Sequence, residues 1–167
     1  YLGIKEIKKI EGYDVSHISG DNAVASCIVY SKTGPSKENY RLFNIPNDLS
    51  GNDVGSLEHV LERRLKYYDE ISIKPDLILI DGGRSQLKFV NDVIMKSKHK
   101  DIEVISIVKG INRVRATETI IGKNGIVELD KHSKAFLILQ EIRDESHRFA
   151  INAQRNKKRK KITKSKL

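Results

Sequence analysis

Cysteine is nearly absent from this 167-residue chain: there is one, Cys27, inside the apolar run "AVASCIVY". A single thiol makes no internal disulfide, so Cys27 reads as a small core residue of a protein kept in a reducing compartment, the cytoplasm. Aromatic residues are scarce at 6%, too few for a platform on which successive bases stack. No apolar run is long enough to cross a bilayer and no signal peptide is expected, so a membrane role is excluded at this level. A cysteine cluster, a GxGxxG and a GxSxG are all missing. "IDGGRSQL" holds paired glycines but lacks the Walker Lys–Ser/Thr, which argues against a P-loop NTPase. No internal repeat appears. Tyr1 rather than Met stands first, as in a piece of a longer protein, and the length suits one domain with a real core.

What is present in excess is positive charge, and it is unevenly placed. The formal net charge is +9. From Gln154 onward, "QRNKKRKKITKSKL" carries eight of the 31 Lys and Arg and no acid, which leaves 23 cations against 22 acids in the body. Such a tail favours a polyanion. A solvated or disordered end, or a linker to another domain, is the plain alternative.

The pattern along the chain mixes strands and helices. Residues 10–18, 23–31 and 38–45 are rich in Val, Ile and Tyr and are separated by turn-like "SGDN" and "TGPS", predicting three antiparallel strands. Leu57, Val60, Leu61, Leu65 and Tyr68 recur at helical spacing, with Asn52 or Asp53 as the cap. Leu77 to Ile80 is an unbroken apolar run, the mark of a strand covered on both faces. Residues 84–97 predict a helix, "EVISIVKG" another buried strand, and "TETIIGKNGIVEL" a hairpin around Asn124–Gly125. A last helix is predicted over 133–153. The sum is a mixed sheet with helices on both faces.

Two aspartates stand out. Asp81 follows the buried run and precedes Gly82–Gly83, so it belongs at the carboxyl end of a central strand, where open α/β sheets build ligand sites. It is equally placed to cap the helix beginning near Arg84. Asp14 interrupts a strand, a position where a carboxylate needs a partner. If the first strand neighbours the Leu77–Ile80 strand, Asp14 and Asp81 converge, and two such carboxylates stay ionised together only with a cation between them. A salt bridge to a lysine is the other way to satisfy Asp14. His147, in "RDESHRFA", shares a helix face with Arg143 one turn earlier. It lacks the His–His spacing of a zincin, and His17, His59, His99 and His132 form no pattern.

Taken together and in order, "YDVSHISGDNAVAS", "LILIDGGRSQL", "IVKG" and "IRDESHRFAI" resemble the C-terminal endonuclease half of the bacterial UvrC excinuclease family. The resemblance runs from about Ile10 to Arg155. It implies an α/β, RNase H-like fold: a mixed five-stranded sheet, three antiparallel strands then parallel ones, flanked by helices, with an extra hairpin. It also implies a domain over 1–155 and a basic tail or linker over 156–167 toward a helix–hairpin–helix module. The family's metal-dependent catalytic residues match Asp14, Asp81 and His147, and a further aspartate corresponds to Asp53. Arg84 stands where the family usually has lysine. Neither a GIY-YIG block nor the helix–hairpin–helix module lies in these residues, and the segment that docks UvrB is expected upstream.

What the resemblance implies chemically is hydrolysis of one DNA strand on the 5′ side of a lesion in nucleotide excision repair. Mg²⁺ or Mn²⁺ suits carboxylate ligands, and a pair of ions activates water and steadies the leaving oxygen. Asp14 is expected to bridge, Asp81 to be a second ligand, and His147 to bind metal or move a proton. Arg84, Lys109, Arg143, Arg155, Lys157 and Lys158 are candidate contacts to the DNA backbone. Damaged duplex DNA and UvrB are the expected partners of a monomeric fragment. Lesion choice is left to partners, since no base-reading helix is evident. Competing readings are a relative of endonuclease V or the resolvases, and a binding module with idle carboxylates.

Overall fold

The structure, a computed structural model, describes residues 6–16, 23–49, 51–71, 73–109 and 118–165. Its chain order begins with β1 (Lys9–Ser16) and β2 (Val24–Ser31), antiparallel neighbours in which Asp14 faces Ser26 across the ladder. The predicted first strand thus holds as far as Ser16; its last two positions, and the predicted "SGDN" turn, lie outside the described residues.

The third predicted strand is corrected. Of the strand expected over 38–45 only β4 (Arg41–Asn44) forms, and a separate short strand, β3 (Gly34–Pro35), precedes it; both pair with β2. Between them lies a 3₁₀ turn, Lys37–Asn39. Local hydrogen bonds explain the break: Ser36 Oγ donates to Glu38 at 2.8 Å, and Asn39 Nδ2 donates to Ser36 Oγ at 2.8 Å. Short polar side chains of this kind offer the backbone an alternative to the ladder. "TGPS", predicted as a turn, contributes the two-residue β3 instead.

The helical and parallel half follows the periodicity. Helix α1 (Asp53–Ile71) leads to β5 (Leu77–Asp81), α2 (Arg84–Lys96) to β6 (Glu103–Lys109), and then come β7 (Glu118–Gly122), β8 (Gly125–Val127) and α3 (Lys134–Ser165). The sheet order is β3-β2-β1-β5-β6-β7-β8, with β4 beside β3 on the outer edge of β2, eight strands among the described residues. β1, β5 and β6 run parallel; the hairpin β7–β8 extends the same sheet antiparallel to β6. Four of the five expected strands, β2, β1, β5 and β6, form the centre, the short β3 and β4 stand at one edge, and the hairpin lengthens the sheet at the other.

Alternation divides the core into two layers. Tyr13, Ala25, Cys27, Ile78, Ile80 and Val104 pack under Leu57, Val60 and Leu61 of α1 and Leu87, Val90 and Ile94 of α2. On the other face, Ile28, Leu77, Leu79, Ile105 and Ile107 pack under Phe136, Leu139 and Ile142 of α3. Each such fully buried aliphatic side chain contributes about 1.5–3 kcal/mol relative to exposure. Gly12 is what lets α3 lie so near β1: a Cβ there would stand 2.7 Å from Ile142 Cγ2.

Helix α3 is longer than predicted. It continues through 153 and past 156 to Ser165 as one helix of 32 residues, so no break in secondary structure marks the expected junction of body and tail. Buried positions on it recur at Phe136, Leu139, Ile142, Ser146, Ala150 and Gln154, with none after that among the described residues. Among the described residues no helix is long and apolar enough to cross a membrane.

Candidate active site

β1 and β5 bring the two aspartates together. In their parallel register Gly12 lies beside Leu79 and Tyr13 beside Ile80. The next position on each strand is Asp14 and Asp81, at neighbouring strand ends about 4.8 Å apart in backbone spacing. With period two, Asp14 shares the face of Gly12 and Asp81 that of Leu77 and Leu79, and both are the face covered by α3.

Helix α3 delivers the histidine through its preceding residue. Ser146 is buried against β2, where Ser26 Oγ donates to the Ser146 carbonyl at 3.0 Å. Ser26 is itself the cross-strand partner of Asp14. His147 Nδ1 therefore arrives 3.0 Å from Asp14 Oδ2. Two turns on, Gln154 Nε2 donates to the Ser16 carbonyl at 2.8 Å and Ser16 Oγ donates back to Gln154 Oε1 at 2.9 Å. The helix is thus tied to β2 beside Asp14 and to the end of β1 beyond it. No lysine supplies Asp14's partner among the described residues; its ion-pair contact is His147.

The electrostatics are strained in one direction. The Asp14 side chain is only 10% exposed, whereas His147 is 60% exposed. Burial pushes the Asp14 carboxyl above its usual range, against the hydrogen bond with His147, and the nearby charge of Asp81 pushes it further the same way.

Asp81 does not cap α2. That place is taken by Gly83, whose N–H donates to Gln86 Oε1 at 3.1 Å, while Asp81 makes no hydrogen bond or ion pair among the described residues. Ser106 braces the turn from β6, its hydroxyl donating to the Ile80 carbonyl at 3.2 Å and to the Gly82 carbonyl. Gln86 also reaches Asp53, its Nε2 donating to Oδ2 at 3.3 Å. Of the two cap candidates for α1, Asn52 serves: its Oδ1 accepts from the Gly55 N–H at 2.9 Å. Asp53, the first residue of α1, is joined instead to the turn after Asp81.

The predicted cations separate into groups. Lys109 ends β6 two residues past Ile107, the partner of Asp81, and shares its face. Arg84 opens α2 and is exposed. Arg143 is engaged already, bonded to Glu118 and at 2.7 Å to Asp144. Lys157 reaches Asn44 of β4, while Arg155 and Lys158 are exposed on α3. Ser26 and Gln86 lie inside the quoted blocks and Ser106 and Gln154 outside them, and no motif role singles out any of the four; their signal is a polar residue within or beside apolar runs.

A family model described as the UvrC RNAse H endonuclease domain matches residues 1–151. The chain belongs to that family. Among curated relatives, UvrABC system protein C of Legionella pneumophila (strain Paris) is 38% identical over 98% of this chain and 27% of its own length. That of Pseudoalteromonas atlantica is 40% identical over 96% and 27% respectively. The chain thus spans about a quarter of the length of the relatives it matches. Among solved structures, Endonuclease V from Streptomyces avermitilis aligns with a TM-score of 0.52 at 12% identity, over 91% of this chain and 83% of the other. That likeness is one of fold, and the fold is the expected RNase H-like one.

Proposed function

We propose that this chain is the domain of a UvrC-type excinuclease that hydrolyses a DNA strand on the 5′ side of a lesion, with Asp14, Asp81 and His147 at its centre. The observation that carries the reading is the convergence of Asp14 and Asp81 at adjacent parallel strand ends, with His147 in contact with one of them, in a chain of this family.

Among the described residues, no three His, Cys, Asp or Glu side chains are drawn together as a finished metal cage. The donor set nevertheless fits a divalent ion. A buried carboxylate pushed up by desolvation and by a second carboxylate is the environment a hard cation relieves, and oxygen donors with one imidazole suit Mg²⁺ or Mn²⁺. Bound by Asp14 and Asp81, such an ion supplies Lewis acidity toward a phosphodiester oxygen and lowers the pKa of water.

The chain's own residues do the rest. The Asp14 contact at Nδ1 orients the imidazole and leaves Nε2 facing no hydrogen-bond partner among the described residues, ready to bind the ion or move a proton. Ser106 and Gln86 hold the Asp81 turn. Gln86 places Asp53 at the rim, where it acts on the site through solvent. Lys109, Arg84, Arg155 and Lys158 attract backbone phosphate without reading sequence, and the engaged Arg143 steadies Glu118. Damaged duplex DNA loaded by UvrB is the substrate, in the bacterial cytoplasm.

The test is nicking of a damaged duplex by the full-length protein with UvrB in Mg²⁺ or Mn²⁺. Asp14→Ala, Asp81→Ala and His147→Ala are each expected to lower 5′ incision by about 100-fold or more. Full-strength incision by any one of them removes that residue from the mechanism, and undiminished incision in chelator removes the metal.

A further inference from the structure

A groove lies between α2 and the hairpin β7–β8, on the side of the sheet away from α3, and encloses about 490 Å³. Its upper end is Arg84, three residues past Asp81. From there it follows α2 to Met95, about 16 Å at the helical rise. Three cations line it: Arg84 and Lys88, one turn apart on α2, and Lys123 in the hairpin turn. All three are exposed, and among the described residues none has an ion-pair or hydrogen-bond partner. Among the described residues Asp92 is the sole acid in the lining; Met95 exposes apolar surface between the charges, over the buried Leu87 and Ile121.

The hairpin side of the groove is bare. Gly122 and Gly125 line it, and Gly125 holds φ +109°, which a side chain would disfavour. A long polymer can therefore lie close to the backbone there. Unpaired cations on two walls over an apolar floor complement a chain with a regular anionic backbone and flat, weakly polar faces, which is a nucleic-acid strand. Arg84, at one end of the groove, follows the Asp81–Gly82–Gly83 turn directly in the chain.

We infer that this groove is a second track for DNA, gripping the phosphodiester backbone that leads away from the cleavage position, with Lys88 and Lys123 as its phosphate contacts. The inference rests on the nuclease reading for the identity of the strand. It assigns Lys88 and Lys123, which no sequence motif marks, and it gives Arg84 the mouth of the track.

The experiment measures equilibrium binding of a fluorescent single-stranded DNA of about a dozen nucleotides to the 167-residue chain in chelator, so that no cleavage occurs. The double variant Lys88→Ala/Lys123→Ala is expected to bind about five- to tenfold more weakly at low salt. Its log–log salt slope is expected to fall by about 1.4, two phosphates at about 0.7 each for a single strand. A control, Lys66→Ala/Lys100→Ala, removes the same charge from exposed positions elsewhere and is expected to change binding by less than about twofold. Unchanged affinity and slope in the groove variant overturn the proposal, as does an equal loss in the control or no measurable binding by the parent chain. An acidic polypeptide that competes as well as DNA on the parent, and loses that ability with the groove variant, reassigns the groove to a protein and also overturns it. Because the readout is binding without metal, failure here leaves the incision test standing, and failure of the incision test leaves this one readable.

Discussion

Asp14 is the residue on which most of the proposed chemistry turns, and burial beside a second carboxylate disfavours its ionised form. Burial, together with Asp81, raises its carboxyl above the ordinary value of 3.8. The sign follows directly: a raised folded pKa means that the metal-free fold is most stable with Asp14 protonated and loses stability as pH rises through that value. Asn at this position removes the ionisation while keeping an acceptor for His147. Asp14→Asn is therefore expected to melt at a higher temperature than the parent in chelator at neutral pH, with the gap closing as pH falls below the ordinary aspartate range. Calorimetry across that range checks it; a lower melting temperature at neutral pH contradicts it. Divalent ion is expected to raise the melting temperature of the parent and not of the variant, which is the same strain seen from the other side.

At the scale of elements, β1 is seated from both faces by quite different means. On the α3 face the fit is steric, Gly12 against Ile142, with Gln154 fastening the strand end. On the α1 face it is ionic. Glu11 is fully buried and bonded to Arg64, itself 5% exposed, and accepts further hydrogen bonds from Tyr13 at 2.8 Å and from Tyr68. Burial holds both phenols well above their ordinary pKa, so they remain neutral donors. Arg64 is not perfectly served, since its Nε has no partner. Removing one member of such a pair strands the other, at about 3–5 kcal/mol. Arg64→Ala is expected to destabilise the chain by that amount in urea melts and to lower incision through β1; a cost below about 1 kcal/mol would show that Glu11 finds other partners. Nothing local in the sequence announces this network. "IEGYDVS" shows a glutamate in a strand, but its partner lies 53 residues away on a helix whose apolar stripe is the visible feature.

For the whole molecule, charge and fold are nearly separate. The body is almost neutral and its core closes at Gln154, the last buried position among the described residues of α3. Beyond it the same helix carries cations into solvent. Ending the chain at residue 155 is expected to leave the melting temperature within a few degrees, since the described residues of that extension are largely exposed, with a surface hydrogen bond from Lys157 to Asn44 among their contacts. Binding to duplex DNA is expected to weaken, and its salt slope to flatten by about 0.9 for each phosphate that the extension had neutralised. An unchanged slope would place the basic extension outside the DNA interface. A large loss of stability would instead make the extension part of the fold.

Sequence alone determined the alternation of strands and helices, the buried strand ending at Asp81, the face on which Asp14 lies, and the family blocks that contain all three central residues. Those are local matters of period, apolar run and motif, and they are written in adjacent letters. Tertiary structure decided that Asn52 rather than Asp53 caps α1, that Arg143 is spent on Glu118, that the third strand breaks at Ser36, and that α3 runs on into the basic tail. It also supplied the serines and glutamines that hold the site. The Asn52 cap and the turn at Ser36 are choices among neighbouring polar residues, whereas the bonds of Arg143, Ser26, Ser106 and Gln154 join partners far apart in the chain, settled by which side chains packing brings within hydrogen-bond reach.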